Sequence, residues 1–425
     1  MAVPGAFLLG ATSRLLPASI PFRFFAAAVL FHLLAWLALL AGADRMAPFV
    51  AAPGWPLAAL HLVTLGVLVM TAIGAGLQLL PIATRQPVPS TFWPRAIWWL
   101  YTPGVAAVTL GMGFALPGLL GLGAVAVLLA LLMFAVLLAL NLYGARGMPE
   151  VVAHGWAALA SLLVVLGSAL ALVLAWLGVP TIARQTALAL HLAFAAYGFM
   201  GLLALGLSCI LVPMFALAAA PDRRRAIASC GMAVAALVLA AMAAFDIATQ
   251  SLRVVALVLG AGAVALHLHL MRVALRSGMR RQLGRSFTLV RLGWAMLAAS
   301  LVLALALVFE APLPGLATLF GLVLIDGWLL SFLLGMLQRI VPFLAAMHTA
   351  RGSRRPPTPS SLSADRPLAI HFACHVAALA GLALAIAVDS PWLLALAAAV
   401  GTLGAAAFGA FFVTVMRRMH AAPVA

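Results

Sequence analysis

Along the chain, long apolar runs alternate with short clusters of Arg, Pro, Gly and Asp. A bilayer core about 30 Å thick is crossed by about 20 apolar residues in a helix. Cutting the sequence at its polar and Pro/Gly punctuation predicts twelve spans, at 22–42, 57–80, 95–114, 117–143, 151–178, 186–217, 226–245, 252–275, 287–309, 315–345, 367–388 and 392–416. Only the Gly113 to Gly118 break separates the third from the fourth. The run from Phe22 to Gly42 is too long for a signal-peptide core and reads as the first span. The expected class is an all-α, polytopic membrane protein, with residues 1–425 forming a single transmembrane domain.

Composition points the same way. Of the 425 residues, 66% are hydrophobic and 8% charged, whereas soluble domains carry about 25% charged residues. The net charge of +16 does not mark a nucleic-acid partner, because the basic residues punctuate apolar runs and form no aromatic-interleaved basic domain. All 24 basic residues are Arg, and they orient the chain. With an internal N-terminus, twelve spans place 21 arginines on or near the inner face and only Arg45, Arg184 and Arg253 outside, as the positive-inside rule requires. Both termini are therefore expected in the cytoplasm. Asp326 is the one acid inside a span, and the Pro/Ser/Arg-rich stretch from Met347 to Arg366 reads as a cytoplasmic linker. Cys209, Cys230 and Cys374 lie in apolar runs without CxxC spacing, so neither disulfides nor a thiolate metal site is indicated.

Three segments share one pattern: Gly74-AGLQLL-Pro81, Gly206-LSCILV-Pro213 and Gly335-MLQRIV-Pro342. Their glycines are 132 and 129 residues apart, and they fall in the second, sixth and tenth spans. Gly permits close helix approach, and Pro is expected to close each span where water or a neighbour meets the lost hydrogen bond. Gly155-WAALA in the fifth span and Gly293-WAMLA in the ninth read as a second echo. The chain thus divides into three four-helix repeats, about 1–148, 149–284 and 285–425, which argues against the two-fold repeats of many secondary transporters.

Eight of the ten histidines fall within spans: His32, His61, His154, His191, His267, His269, His371 and His375. Ionisable groups in hydrocarbon are costly and face the bundle interior. Neutral imidazole binds haem iron or copper without carrying charge into the bilayer. His61 and His191 lie near the outer ends of the second and sixth spans, each a candidate ligand or a hydrogen-bonded interfacial residue. His371 and His375, at i and i+4, share a helix face and suit a metal or a haem propionate, or a solvated structural pair. His32 lies near mid-membrane. His267 and His269 point apart and cannot chelate one ion together, but one of them can pair with Asp326. His154, His348 and His420 read as interfacial.

Twelve spans in three four-helix units, with an outer His on the second and sixth spans, resemble subunit I of the heme-copper oxidase superfamily. The resemblance implies that His61 matches a low-spin haem ligand and His191 a copper ligand. Here the tenth span, Gly321-LVLIDGWLLSFLLGMLQRI, carries no His, and neither does Arg225 to Phe245 in the seventh, so the oxygen-reducing centre is incomplete. The shorter NnrS-like family, associated with haem, copper and nitric oxide stress, is nearer in size. His61-x4-Gly66-x7-Gly74-x6-Pro81 resembles its second-span pattern, with Ala59 and Leu62 where a flanking His and Glu are expected.

The superfamily fold further implies three pores: one lined by His32, His61, His371 and His375, one by His154 and His191, and one by His267, His269 and Asp326. At about 1.5 Å per residue, His32 lies some 9 Å deeper than His61 and within about 3 Å of the depth of His375. His32 with His375 is thus an alternative haem-ligand pair. The expectation is a haem-binding bacterial inner-membrane protein acting in nitric oxide response or electron transfer, without oxygen reduction. Copper, nitric oxide and quinone are possible partners. A cofactor-free transporter or copper or respiratory assembly factor on the same scaffold is the other reading.

Overall fold

The computed structural model describes residues 15–45, 52–247, 249–280, 282–350 and 357–421. Arg14, Arg281 and Arg351 to Arg355 lie outside these residues. Among those described the chain is helical throughout, without a strand. Eleven helices are long and apolar enough to cross a membrane. In chain order they are α1 (Ser19–Ala41), α2 (Trp55–Thr84), α4 (Pro117–Tyr143), α5 (Pro149–Trp176), α6 (Arg184–Ala216), α7 (Arg223–Ala244), α8 (Thr249–Ser277), α9 (Gly284–Val308), α10 (Leu316–Thr349), α11 (Asp365–Ala387) and α12 (Pro391–Ala421). The intervening run also folds as a helix, α3 (Phe92–Gly113).

Local sequence sets several boundaries. Pro117, Pro149 and Pro391 open α4, α5 and α12 at the first helical position, where a missing N–H costs nothing. The Asp222 carboxylate caps α7 by accepting the Arg225 N–H at 2.9 Å.

Three helices form the centre. In α2, α6 and α10, 78%, 89% and 67% of the most apolar stretch is buried, against 50% or less in the other eight. α1, α5 and α9 pack on α2, α6 and α10, and α3–α4, α7–α8 and α11–α12 form the most extensive hairpins. Contacts α4–α5, α8–α9 and α12–α1 close the ring.

Each central helix widens into a π-helical segment, at Leu62–Val69, Phe194–Gly201 and Val323–Leu330. Each ends five residues before the glycine of the Gly-x6-Pro pattern, and Gly66, Gly198 and Gly327 hold the same place within the three segments. The six glycines serve one packing scheme. A methyl at Gly66 or Gly74 would meet Cβ of Phe31 or Phe24. At Gly198 and Gly206 it would meet Ser161 and His154, and at Gly327 and Gly335 it would meet Met296 and the Ser286–Val290 turn, Leu289 included. Contacts seven residues apart on α1, α5 and α9 thus hold the central helices close enough for backbone-to-side-chain packing.

Two expectations are corrected. Pro81, Pro213 and Pro342 lie inside their helices, which run on to Thr84, Ala216 and Thr349. A single lost hydrogen bond does not end a helix held on several sides, and α2 and α6 stop at left-handed Arg85 and Leu217 instead. The second echo is not a structural one, since Gly155 abuts Leu142 on α4 whereas Gly293 abuts Phe332 on α10.

A β-carbon at Gly206 would lie 2.6 Å from His154 Cβ, whereas Gly167 has nothing within 4 Å. Gly206→Val is therefore expected to lower stability by about 1–3 kcal/mol through overpacking, with Gly167→Ala near neutral. Thermal unfolding in detergent reads both.

Candidate functional site

The intramembrane histidines separate into three groups. In the first, α1 supplies His32 and α11 supplies His371 and His375, which are 1%, 0% and 3% exposed. The His32 and His371 rings lie 6.1 Å apart, and those of His371 and His375 lie 5.8 Å apart. Phe408 of α12 packs against both His32 and His371.

Hydrogen bonds fix what each neutral ring presents. The Trp36 indole N–H donates to His32 Nε2 at 3.1 Å, so the proton of His32 sits on Nδ1, which has no partner. His371 donates from Nδ1 to the Gly404 carbonyl at 3.1 Å, leaving Nε2 a bare, buried lone pair. The Ser331 hydroxyl gives its one proton to the Asp326 carbonyl at 2.9 Å, so His375 Nε2, 2.7 Å away, is the donor to Ser331.

The i, i+4 spacing of the α11 pair already put both rings on one face. The supporting groups Trp36, Ser331 and Gly404 were not expected. Trp36 follows His32 by four residues and was legible as its helix neighbour. Ser331 reaches His375 from the end of the π segment, and Gly404 offers its carbonyl as acceptor where a side chain would intrude on Cys374.

The donor set fits a metal centre at one atom. A metal-bound imidazole normally anchors its other N–H on a carbonyl or carboxylate, and His371 does so. His32 does not present a ligand atom, since its lone pair is engaged by Trp36, and its near neighbour is His371. In this arrangement the expected His32–His375 axial pair is not formed. His61 is not part of this group either. Its Nδ1 donates to the Leu57 carbonyl at 3.0 Å, and it interacts with His191 of α6, because α2 turns its His61 face away from α1.

The second group is this His61–His191 pair. His191 bonds the Val165 carbonyl and has a partnerless Nδ1, and it does not join His154. In the third group, His154 donates from Nδ1 to the Glu150 carbonyl at 2.7 Å and interacts with His267. Both present an Nε2 without a partner. His154 was expected at the interface but is 1% exposed, because α5 turns it against Gly206. Cys209, Cys230 and Glu150 lie close enough to interact there, an assembly that the spacing of the cysteines in sequence did not reveal. His269 is exposed, and among the described residues the titratable neighbour of His267 is His154 rather than Asp326, so that polar pair does not form. His348 is half-buried with its ring against Phe22, and His420 is exposed and bonds the Met416 carbonyl.

Among the described residues, no three His, Cys, Asp or Glu side chains gather closely enough to hold a metal ion. Cavities of about 300 Å³ and 320 Å³ lie elsewhere, one between α2, α4 and the Gln86–Pro89 loop, the other between α1, α2 and α3. Compared with protein-family models and with curated proteins, the chain matches none.

Proposed function

We propose that this chain is a haem-binding protein of the bacterial inner membrane, crossing it twelve times in three four-helix repeats with both termini in the cytoplasm, on a scaffold like that of heme-copper oxidase subunit I. Its task is nitric oxide binding or electron transfer, without oxygen reduction. The observation that carries this reading is His371, whose Nε2 lone pair is bare, fully buried and backed by a carbonyl on the other ring nitrogen.

The recurrence of the π segments and their glycines supports three repeats. The helical fold of α3 supports the twelfth crossing. A bound iron would supply redox chemistry and affinity for a diatomic gas. His371 would hold it, Gly404 would fix the ring of His371, and the unpartnered Nδ1–H of His32 would supply a hydrogen bond to a ligand on that iron. Phe408 and the other apolar walls exclude water. Quinone, if it is the electron partner, would approach through the bilayer.

A second reading rests on packing. The His32, His371 and His375 rings expose 3% of their surface or less, so a porphyrin enters only if α1 and α11 part. A bare copper ion demands less room, which favours a copper-handling or assembly protein without haem.

Optical spectra of the purified protein, oxidised and dithionite-reduced, with and without nitric oxide, decide between them alongside metal analysis. A Soret band that shifts on reduction and again with nitric oxide is the expected result. Stoichiometric copper without a Soret band selects the second reading, and neither chromophore nor metal after expression with ample haem and copper rejects both.

A further inference from the structure

The cavity of about 300 Å³ between α2, α4 and the Gln86–Pro89 loop belongs to none of the histidine groups. Its inner end is walled by buried Leu77, Leu80 and Leu138, and its outer end by exposed Pro87, Pro89 and Leu140. Leu140 continues the exposed stripe of Leu129, Leu132 and Val136 on α4, so the cavity opens on the face that α4 turns to lipid. Along α4 it reaches from Phe134 to Asn141, about 10 Å at 1.5 Å per residue.

Gly76 sets the room at the deep end. A β-carbon at Gly66 or Gly74 would lie 2.7 or 2.8 Å from a phenylalanine Cβ, whereas at Gly76 the nearest atom would be Phe134 Cζ at 3.6 Å, an ordinary contact. Close helix approach therefore does not demand glycine at 76. What the missing side chain leaves is space in the cavity.

The rim is held in place and carries positive charge. Pro87 and Pro89 restrict the backbone on either side of Val88. Asn141 Nδ2 donates to the Gln86 carbonyl at 3.1 Å, and the Gln86 side-chain amide donates to the Gly144 carbonyl. The Arg146 N–H donates to the Thr84 carbonyl at 2.9 Å. These bonds bring exposed Arg85 and Arg146 to one edge of the cavity, and a β-carbon at Gly147 would lie 3.6 Å from Arg85 Nε. The sequence has no Asp or Glu between Asp44 and Glu150, and among the described residues neither arginine has an ion-pair partner. Exposed Phe92, Trp93 and Tyr143 lie at the same end of the bundle, and such side chains gather where hydrocarbon meets headgroups.

We infer that this cavity takes one acyl chain of an anionic phospholipid from the leaflet at which α2 and α4 end, with Arg85 and Arg146 holding its phosphate. One leaflet of a hydrocarbon core about 30 Å thick is about 15 Å deep, so a slot of about 10 Å receives most of the chain nearest the headgroup. A free phosphate would leave the apolar slot unfilled, and a zwitterionic lipid would bring its own cation to the two arginines. The bound lipid joins the α2–α3 connection to the α4–α5 connection. It touches no side chain of the three histidine groups and stands or falls independently of haem.

The test is native mass spectrometry of the full-length protein, delipidated in detergent and titrated with dioleoylphosphatidylglycerol. One saturable equivalent is expected, bound at least about fivefold more tightly than dioleoylphosphatidylcholine. Arg85→Gln and Arg146→Gln should each weaken it about fivefold, the factor that one arginine near an anionic headgroup supplies. Gly76→Leu fills the deep end and should remove the equivalent, whereas Gly167→Leu, where nothing lies within 4 Å, should leave it. Monodispersity and thermal unfolding without lipid establish that each variant is folded, and the exposed arginines keep the test decisive where Gly76→Leu does not fold. Equal affinity for the two lipids overturns the inference, as does unweakened binding in a folded Arg85→Gln/Arg146→Gln or Gly76→Leu variant. So does displacement of the lipid by inorganic phosphate, preferential binding of a short-chain quinone, or absence of a saturable equivalent in the parent protein.

Discussion

His371→Ala is expected to abolish the haem signal of the purified protein, whereas His61→Ala leaves that signal intact. The asymmetry follows from hydrogen bonding. His371 is the ring in its group whose fully buried lone pair has no partner and whose opposite N–H is anchored on a backbone carbonyl. His32 already accepts from Trp36. Freeing that lone pair by Trp36→Phe should leave the metal bound but change its spectrum with nitric oxide, because the ring can then rotate. Ser331→Ala removes the hydroxyl that donates to the Asp326 carbonyl and leaves the His375 N–H without its acceptor. A buried group left unpaired costs about 1–3 kcal/mol, so a lower unfolding temperature with the metal retained is expected. If His61→Ala removes the haem signal while His371→Ala keeps it, the resemblance to the oxidase second-span ligand is the better guide and the present assignment fails.

How far the sequence led depended on which physical signal each feature leaves. Membrane crossing needs only a run of apolar residues, and each run predicted from punctuation became a helix. The Gly-x6-Pro pattern was legible because close packing of two helices tolerates little but Gly at the contact. Depth was legible too, at a fixed rise per residue, so His61 and His191 were placed near the same end of α2 and α6. Azimuth was not. The i, i+4 rule put His371 and His375 on one face, but whether that face meets His32 or His61 depends on how α11, α1 and α2 are rotated about their axes. The π segments defeat any count at 3.6 residues per turn, since each wide turn offsets one half of its helix from the other. His154 illustrates the same blindness. Near a helix end it looked interfacial, yet packing against Gly206 buries it.

Deleting Leu329, within the π segment of α10, is expected to be among the most damaging single changes in the protein. A π segment holds extra residue in its turns, as the Ser331 N–H reaching back to Asp326 shows, and removing one restores ordinary helical winding. With Ser331 and Gly335 held by α11 and α9, the residues before the deletion must turn by about 100°. Gly327 then leaves Met296, and Trp328 leaves Tyr197. Overpacking where a glycine stood costs about 1–3 kcal/mol, and a lost aromatic pair about 0.5–1.5 kcal/mol more. A loss of about 2–4 kcal/mol in thermal unfolding is expected. The equivalent deletions of Leu68 in α2 and Met200 in α6 should behave alike if the three segments do the same work. A Leu329 deletion that unfolds at the parent temperature would mean that the wide turns do not set the rotation of the central helices.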